Sequence, residues 1–316
     1  MSATVIDRRD CSSDERAALV ASLRASSASI APKHFYDELG CALYAAICAT
    51  PEYYLTRTEA GIFARNADAI AARIGRGSTF VDLGAGDGAK ALWWLPRLAA
   101  SGYVAVDAAA GALDATLSRI EAAFPDLDVR GVATDFGAGL DVARDLPPGG
   151  VTFFYPGSSI GNFAPAQALD FLRSLRAHGG AGRSVALLIG VDTHKDARRL
   201  QAAYDDALGV TAAFNRNVLN VVNAVVGTDF DPAAFRHVAL YDARRRRIEM
   251  HLEALREQTV AIDGVPRRFA AGERIHTENS YKYAPEDFAR MLQEADFAEV
   301  TLWSDAAGDF AVFFAA

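Results

Sequence analysis

The residues best suited to chemistry form a run of alternating glycines, Asp82-Leu83-Gly84-Ala85-Gly86-Asp87-Gly88-Ala89-Lys90. Thr79–Leu83 reads as a buried strand entering it, and a helix is expected after it. Glycines suit such a turn because it is tight and because a ligand must reach the backbone without meeting a Cβ. Gly84–Ala89 also fits the loose dinucleotide pattern Gly-x-Gly-x-x-Gly/Ala, so the turn by itself leaves the ligand open. Two acids narrow the choice. Asp107 ends the apolar stretch Tyr103–Val106, nineteen residues beyond Gly88, where a carboxylate can accept both hydroxyl hydrogens of a ribose. Thr134-Asp135-Phe136 follows a weaker stretch, Val129–Ala133; an acid there can hold an adenine amino group while the ring packs on the base. The set points to an adenine nucleoside.

Three features favour a methyl donor over a nicotinamide. Asp82, two residues before Gly84, gives the Asp-x-Gly-x-Gly-x-Gly form typical of methyltransferases. The two strand-like segments at the C-terminus, Ala298–Trp303 and Phe310–Phe314, suit an antiparallel edge on an otherwise parallel sheet. No Tyr-x-x-x-Lys pair occurs in the chain, which removes the short-chain dehydrogenase site. Asp87 in the turn would also repel a pyrophosphate, whereas a sulfonium has none.

The elements that must position these residues follow from the pattern along the chain. Its 316 residues are 51% hydrophobic and 23% charged, enough for a sizeable core and too apolar for a disordered chain. The net charge of −8 disfavours nucleic acid as a partner. Apolar runs such as Val185–Val191 are far too short to span a membrane. Cys11, Cys41 and Cys48 show no metal spacing, and with no signal peptide they read as reduced thiols of a cytoplasmic protein; no metal site is expected. Residues 1 to about 60 read as helical, with a helix from near Thr58 to Ile74 burying Ile62, Phe63, Ala67, Ile70 and Ile74. From about 78 to 195, short apolar runs alternate with helices (Leu113–Phe124, Pro165–Ala177), the signature of a parallel sheet covered on both faces. Lys195–Leu208 and Thr211–Val225 then read as helices, and Phe235–Tyr241 with Ile248–Leu252 as a hairpin about Asp242–Arg247. The expected fold is therefore α/β: a doubly wound, Rossmann-like sheet of the class I methyltransferase type with an antiparallel C-terminal strand. Residues 61–195 and 287–316 would form that domain, and 1–60 with 196–286 a smaller substrate-binding domain.

On these residues the chain resembles the L-histidine Nα-methyltransferases of ergothioneine biosynthesis. The likeness covers nearly the whole sequence. It rests on Tyr36-Asp37-Glu38, Pro51-Glu52-Tyr53-Tyr54-Leu55-Thr56-Arg57-Thr58-Glu59, the glycine turn with Lys90, Gly157-Ser158-Ser159-Ile160-Gly161-Asn162, Ala203-Tyr204-Asp205-Asp206, Phe214-Asn215-Arg216-Asn217, Ile248-Glu249-Met250 and Thr277-Glu278-Asn279-Ser280-Tyr281-Lys282-Tyr283. The resemblance implies a substrate amino acid held between the α/β domain and the cap. It implies that Asn162 and Tyr204 hold the substrate carboxylate and amine and so align the reacting nitrogen. Tyr53, Met250, Glu278 and Ser280 would form the imidazole pocket. Tyr36, Tyr44 (where Phe is usual), Gly84, Lys90, Asp107, Asp135, Phe136 and Gly157 would surround S-adenosylmethionine. The activity implied is trimethylation of the α-amine of L-histidine to hercynine by a monomer; the same chemistry on tryptophan or tyrosine is the alternative.

Read without the resemblance, several of these residues have plainer roles. Met250 alternates with Ile248 and Leu252 and suits a hairpin core. Lys90 suits an ion pair with a nearby acid, Asn162 a turn, and one of Tyr53 and Tyr54 a core aromatic. Arg244–Arg247 reads as a solvated turn. Glu278 is the residue expected to choose the side chain, because a carboxylate accepts an imidazole N–H and Ser280, two residues on, shares its side of an extended segment.

Overall fold

A computed structural model describes residues 4–7, 13–108, 110–135, 140, 142–180 and 182–316. In chain order its elements are β1 (Thr4–Asp7), α1 (Ser13–Arg24), α2 (Glu38–Ala49), α3 (Leu55–Ile74), β2 (Thr79–Leu83), α4 (Ala89–Leu98), β3 (Gly102–Asp107), α5 (Ala110–Ala123), β4 (Asp128–Ala133), β5 (Val151–Tyr155), α6 (Pro165–Arg176) and β6 (Val185–Asp192). There follow α7 (Ala197–Ala202), α8 (Val210–Val226), β7 (Phe235–Asp242), β8 (Arg247–Ala254), β9 (Gln258–Ile262), β10 (Val265–Phe269), β11 (Arg274–Tyr281), α9 (Pro285–Glu294), β12 (Val300–Ser304) and β13 (Phe310–Ala315). They fold into two compact units, the first of Met1–Arg9, Leu55–His194 and Lys282–Ala316, the second of Asp10–Tyr54 and Lys195–Tyr281.

The first unit is built on an eight-stranded sheet in the order β1-β4-β3-β2-β5-β6-β13-β12. Neighbours run parallel from β1 to β6; β13 is antiparallel to β6, and β12 to β13. This is the doubly wound sheet with an antiparallel C-terminal edge that the sequence predicts. The central strands β2 and β5 are buried along their whole length, as mostly apolar strands of a sheet covered on both faces are; Asp82 is the buried acid among them. From β2 the chain winds outward to β3 and β4, then returns to β5 on the other side of β2. Ligands of such sheets bind at this reversal, beyond the carboxyl ends of the strands. α3 buries Ile62, Phe63, Ile70 and Ile74 as the spacing predicts, and on the same stripe it buries Glu59.

Two expectations need correction here. β1, which pairs parallel with β4 at the sheet edge, lies in a stretch read as helical; four residues are too few to display a period. The expected boundary between residues 60 and 61 falls inside α3, which begins at Leu55 rather than near Thr58.

The second unit holds an antiparallel sheet in the order β11-β8-β7, a β9–β10 hairpin, and α1, α2, α7 and α8. The helix expected over 195–208 is only α7, six residues long. Asp206 stops it from running on: its carboxylate accepts the Val210 and Thr211 amides at 3.0 and 2.7 Å, so the chain turns there and α8 begins. β9 and β10 were not anticipated. Their signal is the two-residue turn Asp263-Gly264, with φ of +52° and +72°, the usual chemistry of a tight hairpin.

Candidate active site

The glycine turn lies at the reversal point of the large sheet. Gly84, Gly86 and Gly88 have φ of +74°, +52° and +71°, conformations that side chains disfavour. The turn is tied to the next strand: the Gly84 amide donates to the Val106 carbonyl at 2.8 Å and the Gly86 amide to Asp107 Oδ2 at 3.0 Å. A Cβ at Gly84 would meet nothing within 4 Å, whereas one at Gly88 would lie 2.8 Å from Thr116 Cγ2. Gly84 therefore leaves an open cradle, and Gly88 lets α5 pack. Asp82 is buried beneath the turn and accepts the Tyr103 hydroxyl at 3.1 Å; burial pushes its carboxyl up to about 7. Asp135 lies just past β4 and is exposed; Phe136 lies outside the described residues.

Lys90 and Gly157 come together through a third residue. Lys90 Nζ is 2.5 Å from Glu59 Oε2, and the Gly157 amide donates to Glu59 Oε1 at 2.7 Å. The plainer reading of Lys90, an ion pair, is thus correct, although its side chain remains 37% exposed. Gly157 has φ of +77°, and a Cβ there would have only ordinary contacts, 3.8 Å from Ser159 Oγ and 3.9 Å from Lys90 Nζ. Asn162 ends the short 3-10 turn Ser159–Asn162 and is half-buried. Open glycine backbone, a carboxylate tied to the turn and a lysine at the reversal point fit a nucleoside that carries an amino-acid tail.

The second unit gathers the aromatic and polar residues. Tyr36, Tyr44, Tyr53 and Tyr204 form a chain of edge contacts with centroid separations of 5.9, 6.3 and 6.3 Å. Tyr53 and Tyr44 hydrogen-bond to each other, and burial pushes both phenols well above their ordinary value. They act as hydroxyls, not as bases. The Tyr204 hydroxyl is 2.7 Å from Ser280 Oγ. Across the sheet Ser280 pairs with Ile248 and Glu278 with Met250, and both Glu278 and Met250 are buried. Ile275 pairs with Leu252 on the same face, three residues before Glu278. A bulge at Thr277 supplies the odd step, and its hydroxyl donates to the Met250 carbonyl at 3.0 Å. Glu278, Ser280 and Met250 thereby share one face with the Tyr204 hydroxyl. Tyr54, in contrast, is packed under Lys195 and Arg199 and accepts a hydrogen bond from Lys195 Nζ at 2.7 Å; it is the core aromatic of the pair.

A family profile and curated relatives identify the family. A family profile described as a histidine-specific, S-adenosylmethionine-dependent methyltransferase matches residues 15–316. The chain belongs to that family. It is 41% identical over 297 residues to histidine N-alpha-methyltransferase of Mycolicibacterium smegmatis, covering 92% of this chain and 91% of that one. It is 39% identical over 302 residues to the Mycobacterium tuberculosis protein of the same name, covering 93% and 92%. Ergothioneine biosynthesis protein 1 of Schizosaccharomyces pombe is 28% identical over 291 residues, 88% of this chain but 37% of that longer protein.

For this histidine-specific methyltransferase, the sequence motifs also include residues whose task is to hold the others. Asp37 caps α2 by accepting the Gly40 amide at 2.7 Å and also accepts Asn217 Nδ2 at 2.8 Å. Asn215 Nδ2 donates to the His251 carbonyl at 3.0 Å and to His237 Nδ1 at 2.8 Å. With both amide hydrogens committed, His237 must accept at Nδ1 and donate from Nε2 to the Tyr204 carbonyl, 2.8 Å away. Burial lowers the His237 pKa and favours this neutral tautomer. Sequence reasoning missed His237, and it placed Glu59 in a family motif without giving it a role. No motif marks the first. The second is a charged residue at helical spacing from Ile62 and Phe63, which in hindsight was the signal. Arg247, expected in a solvated turn, instead starts β8, pairs with Glu249 and donates to the Tyr281 hydroxyl at 2.6 Å.

Proposed function

We propose that this protein transfers methyl groups from S-adenosylmethionine to the α-amine of L-histidine, three in succession, giving hercynine for ergothioneine synthesis. In this reading the first unit carries the methyl donor, through Gly84, Lys90, Asp107, Asp135 and Gly157, and the second carries the amino acid. By the family likeness, Asn162 and Tyr204 align the substrate's carboxylate and amine, and Tyr36 and Tyr44 belong with the donor residues. The observation that carries the reading is the shared face of Glu278, Ser280 and Met250 with the Tyr204 hydroxyl, inside a family specific for histidine. A buried carboxylate and a hydroxyl suit the two nitrogens of an imidazole, while Met250 and Tyr53 pack on its ring.

The bound donor supplies an activated methyl on a sulfonium. The protein's task is alignment: nitrogen, methyl carbon and sulfur must lie in line, and holding them so is worth several powers of ten in rate. The attacking amine must be neutral. Tyr44 and Tyr53, with their raised pKa values, stay neutral phenols and do not serve as bases, so each proton leaves to water while Asn162 and the Tyr204 hydroxyl orient the nitrogen. The reading also takes the enzyme as a cytoplasmic monomer acting on a free amino acid; the net charge of −8 argues against a nucleic-acid substrate.

The test is to incubate the protein with S-adenosylmethionine and each proteinogenic amino acid and to weigh the products. Histidine is expected far ahead, with a mass gain of three methyl groups. Faster turnover of tryptophan or tyrosine, or a product that stops at one methyl, would overturn the assignment.

A further inference from the structure

Glu59 is fully buried in the first unit, on a helix face that otherwise meets the sheet through apolar side chains. A buried carboxylate is costly unless it is paired and hydrogen-bonded. Here both oxygens are engaged, Oε2 by the Lys90 ammonium and Oε1 by the Gly157 amide. Room for it comes from β6: a Cβ at Gly190 would lie 2.0 Å from Glu59 Oε1, so no other residue fits there without displacing the carboxylate. Four segments thus converge on one side chain: α3, the first turn of α4, the turn after β5, and β6. Two of them, the start of α4 and the turn after β5, follow the two strands that flank the reversal point.

We propose that Glu59 is the positioning residue of the methyl-donor site, presetting the Lys90 ammonium and the Gly157 turn before the donor arrives. The inference rests on the donor site proposed above and deepens it. Glu59 does not add attraction for an anionic tail, since it offsets the charge of Lys90. What it adds is direction. The ammonium is held from behind, its remaining N–H groups are free to turn toward a ligand carboxylate, and the Gly157 amide is committed to Glu59, which fixes the strained φ of that residue.

The experiment is calorimetric titration of the full chain with S-adenosylhomocysteine, for the wild type and the variants Glu59→Gln, Lys90→Met and the double variant. Binding by the wild type checks the donor site itself, so failure of that reading is seen separately. Glu59→Gln keeps the shape but turns an amide toward Lys90. It is expected to weaken S-adenosylhomocysteine tenfold or more while the KM for histidine, at saturating donor, stays within twofold. The double variant is expected to bind no worse than the weaker single variant, because the two residues act as one unit. Wild-type affinity in Glu59→Gln, or losses that multiply in the double variant, would overturn the proposal. A readout without mutation is hydrogen exchange at the Gly157 amide. It is expected to be protected in the ligand-free protein nearly as well as with S-adenosylhomocysteine bound; rapid exchange that slows only with ligand would equally overturn it.

Discussion

The two units offer a ligand different things. The first offers largely backbone: three glycines at positive φ, an amide given to Asp107 and an open cradle at Gly84. The second offers side chains: four tyrosines in edge contact, a buried glutamate, a serine and a methionine. Backbone reads a ligand common to many enzymes and depends little on side-chain identity. Side chains choose one amino acid among twenty, because a wrong ligand leaves buried polar groups unpaired. Damage at Glu278, Ser280 or Tyr204 should therefore alter which substrate is used and leave donor binding intact.

The largest effect is expected from Glu278→Ala. Loss of the carboxylate leaves an imidazole N–H without its acceptor in a buried place, so kcat/KM for histidine should fall about 100-fold or more. Affinity for S-adenosylhomocysteine, measured by calorimetry, should stay within about threefold. Equal losses in both would erase the proposed division between the units. A smaller effect, roughly tenfold in kcat/KM, is expected from Tyr204→Phe or Ser280→Ala, since each removes one end of a neutral hydrogen bond of 2.7 Å. The double variant sharpens the point. If the Tyr204 hydroxyl orients the substrate through Ser280, the combined loss should fall well short of the product of the two, and full multiplicativity would mean that they act separately.

The same contrast explains what could be read from the sequence. The glycine turn, Asp82 and Asp107 were legible because they are local: a strand, a turn and the next strand end bring them within thirty residues. The parallel sheet was legible for a related reason, since strands buried on both faces announce themselves as apolar runs. The residues proposed for the amino-acid pocket gave no such signal. Tyr53, Tyr204, Met250 and Glu278 are dispersed over more than two hundred residues, and only the family likeness gathered them. The face shared by Ile275 and Glu278 also depends on the bulge at Thr277, which breaks the two-residue period on which any strand reading relies. Glu59 was given no role for the opposite reason. Its spacing places it on an apolar stripe, and nothing in α3 itself tells that Lys90, Gly157 and Gly190 converge to accommodate a charge. α7 was read too long because helix propensity continues through Ala203-Tyr204; the break comes from Asp206 capping the next helix.

The smallest expected effect separates the frame of the second unit from its ligand contacts. His237 donates to the Tyr204 backbone carbonyl and is held neutral between that carbonyl and Asn215. Around it, Asp205 (4.0 Å from Nε2) and Asp206 favour the charged form, while burial and Arg216 oppose it, and the net direction is downward. Because the folded-state pKa lies below that of the unfolded chain, protons bind the unfolded state more readily. The contribution of His237 to stability is therefore whole above about pH 6.5 and is lost as pH falls through the window beneath it, by at most about 1.4 kcal/mol per pH unit. Glu253 and Asp206, whose pKa values are lowered, titrate only at more acid pH, below the ordinary carboxylate range. His251 and His276 are shifted downward as well, chiefly by burial, so part of the slope between pH 6.5 and 5 belongs to them. Replacing His237 by Gln keeps a donor and an acceptor but removes the titration. Urea unfolding of the two proteins at pH 7 and pH 5 should show similar stability changes for the carboxylates and a shallower acid loss for the variant, with kcat for histidine at pH 8 reduced no more than about threefold. An unchanged slope would mean that His237 binds protons equally in the folded and unfolded chain, so that burial does not hold it neutral.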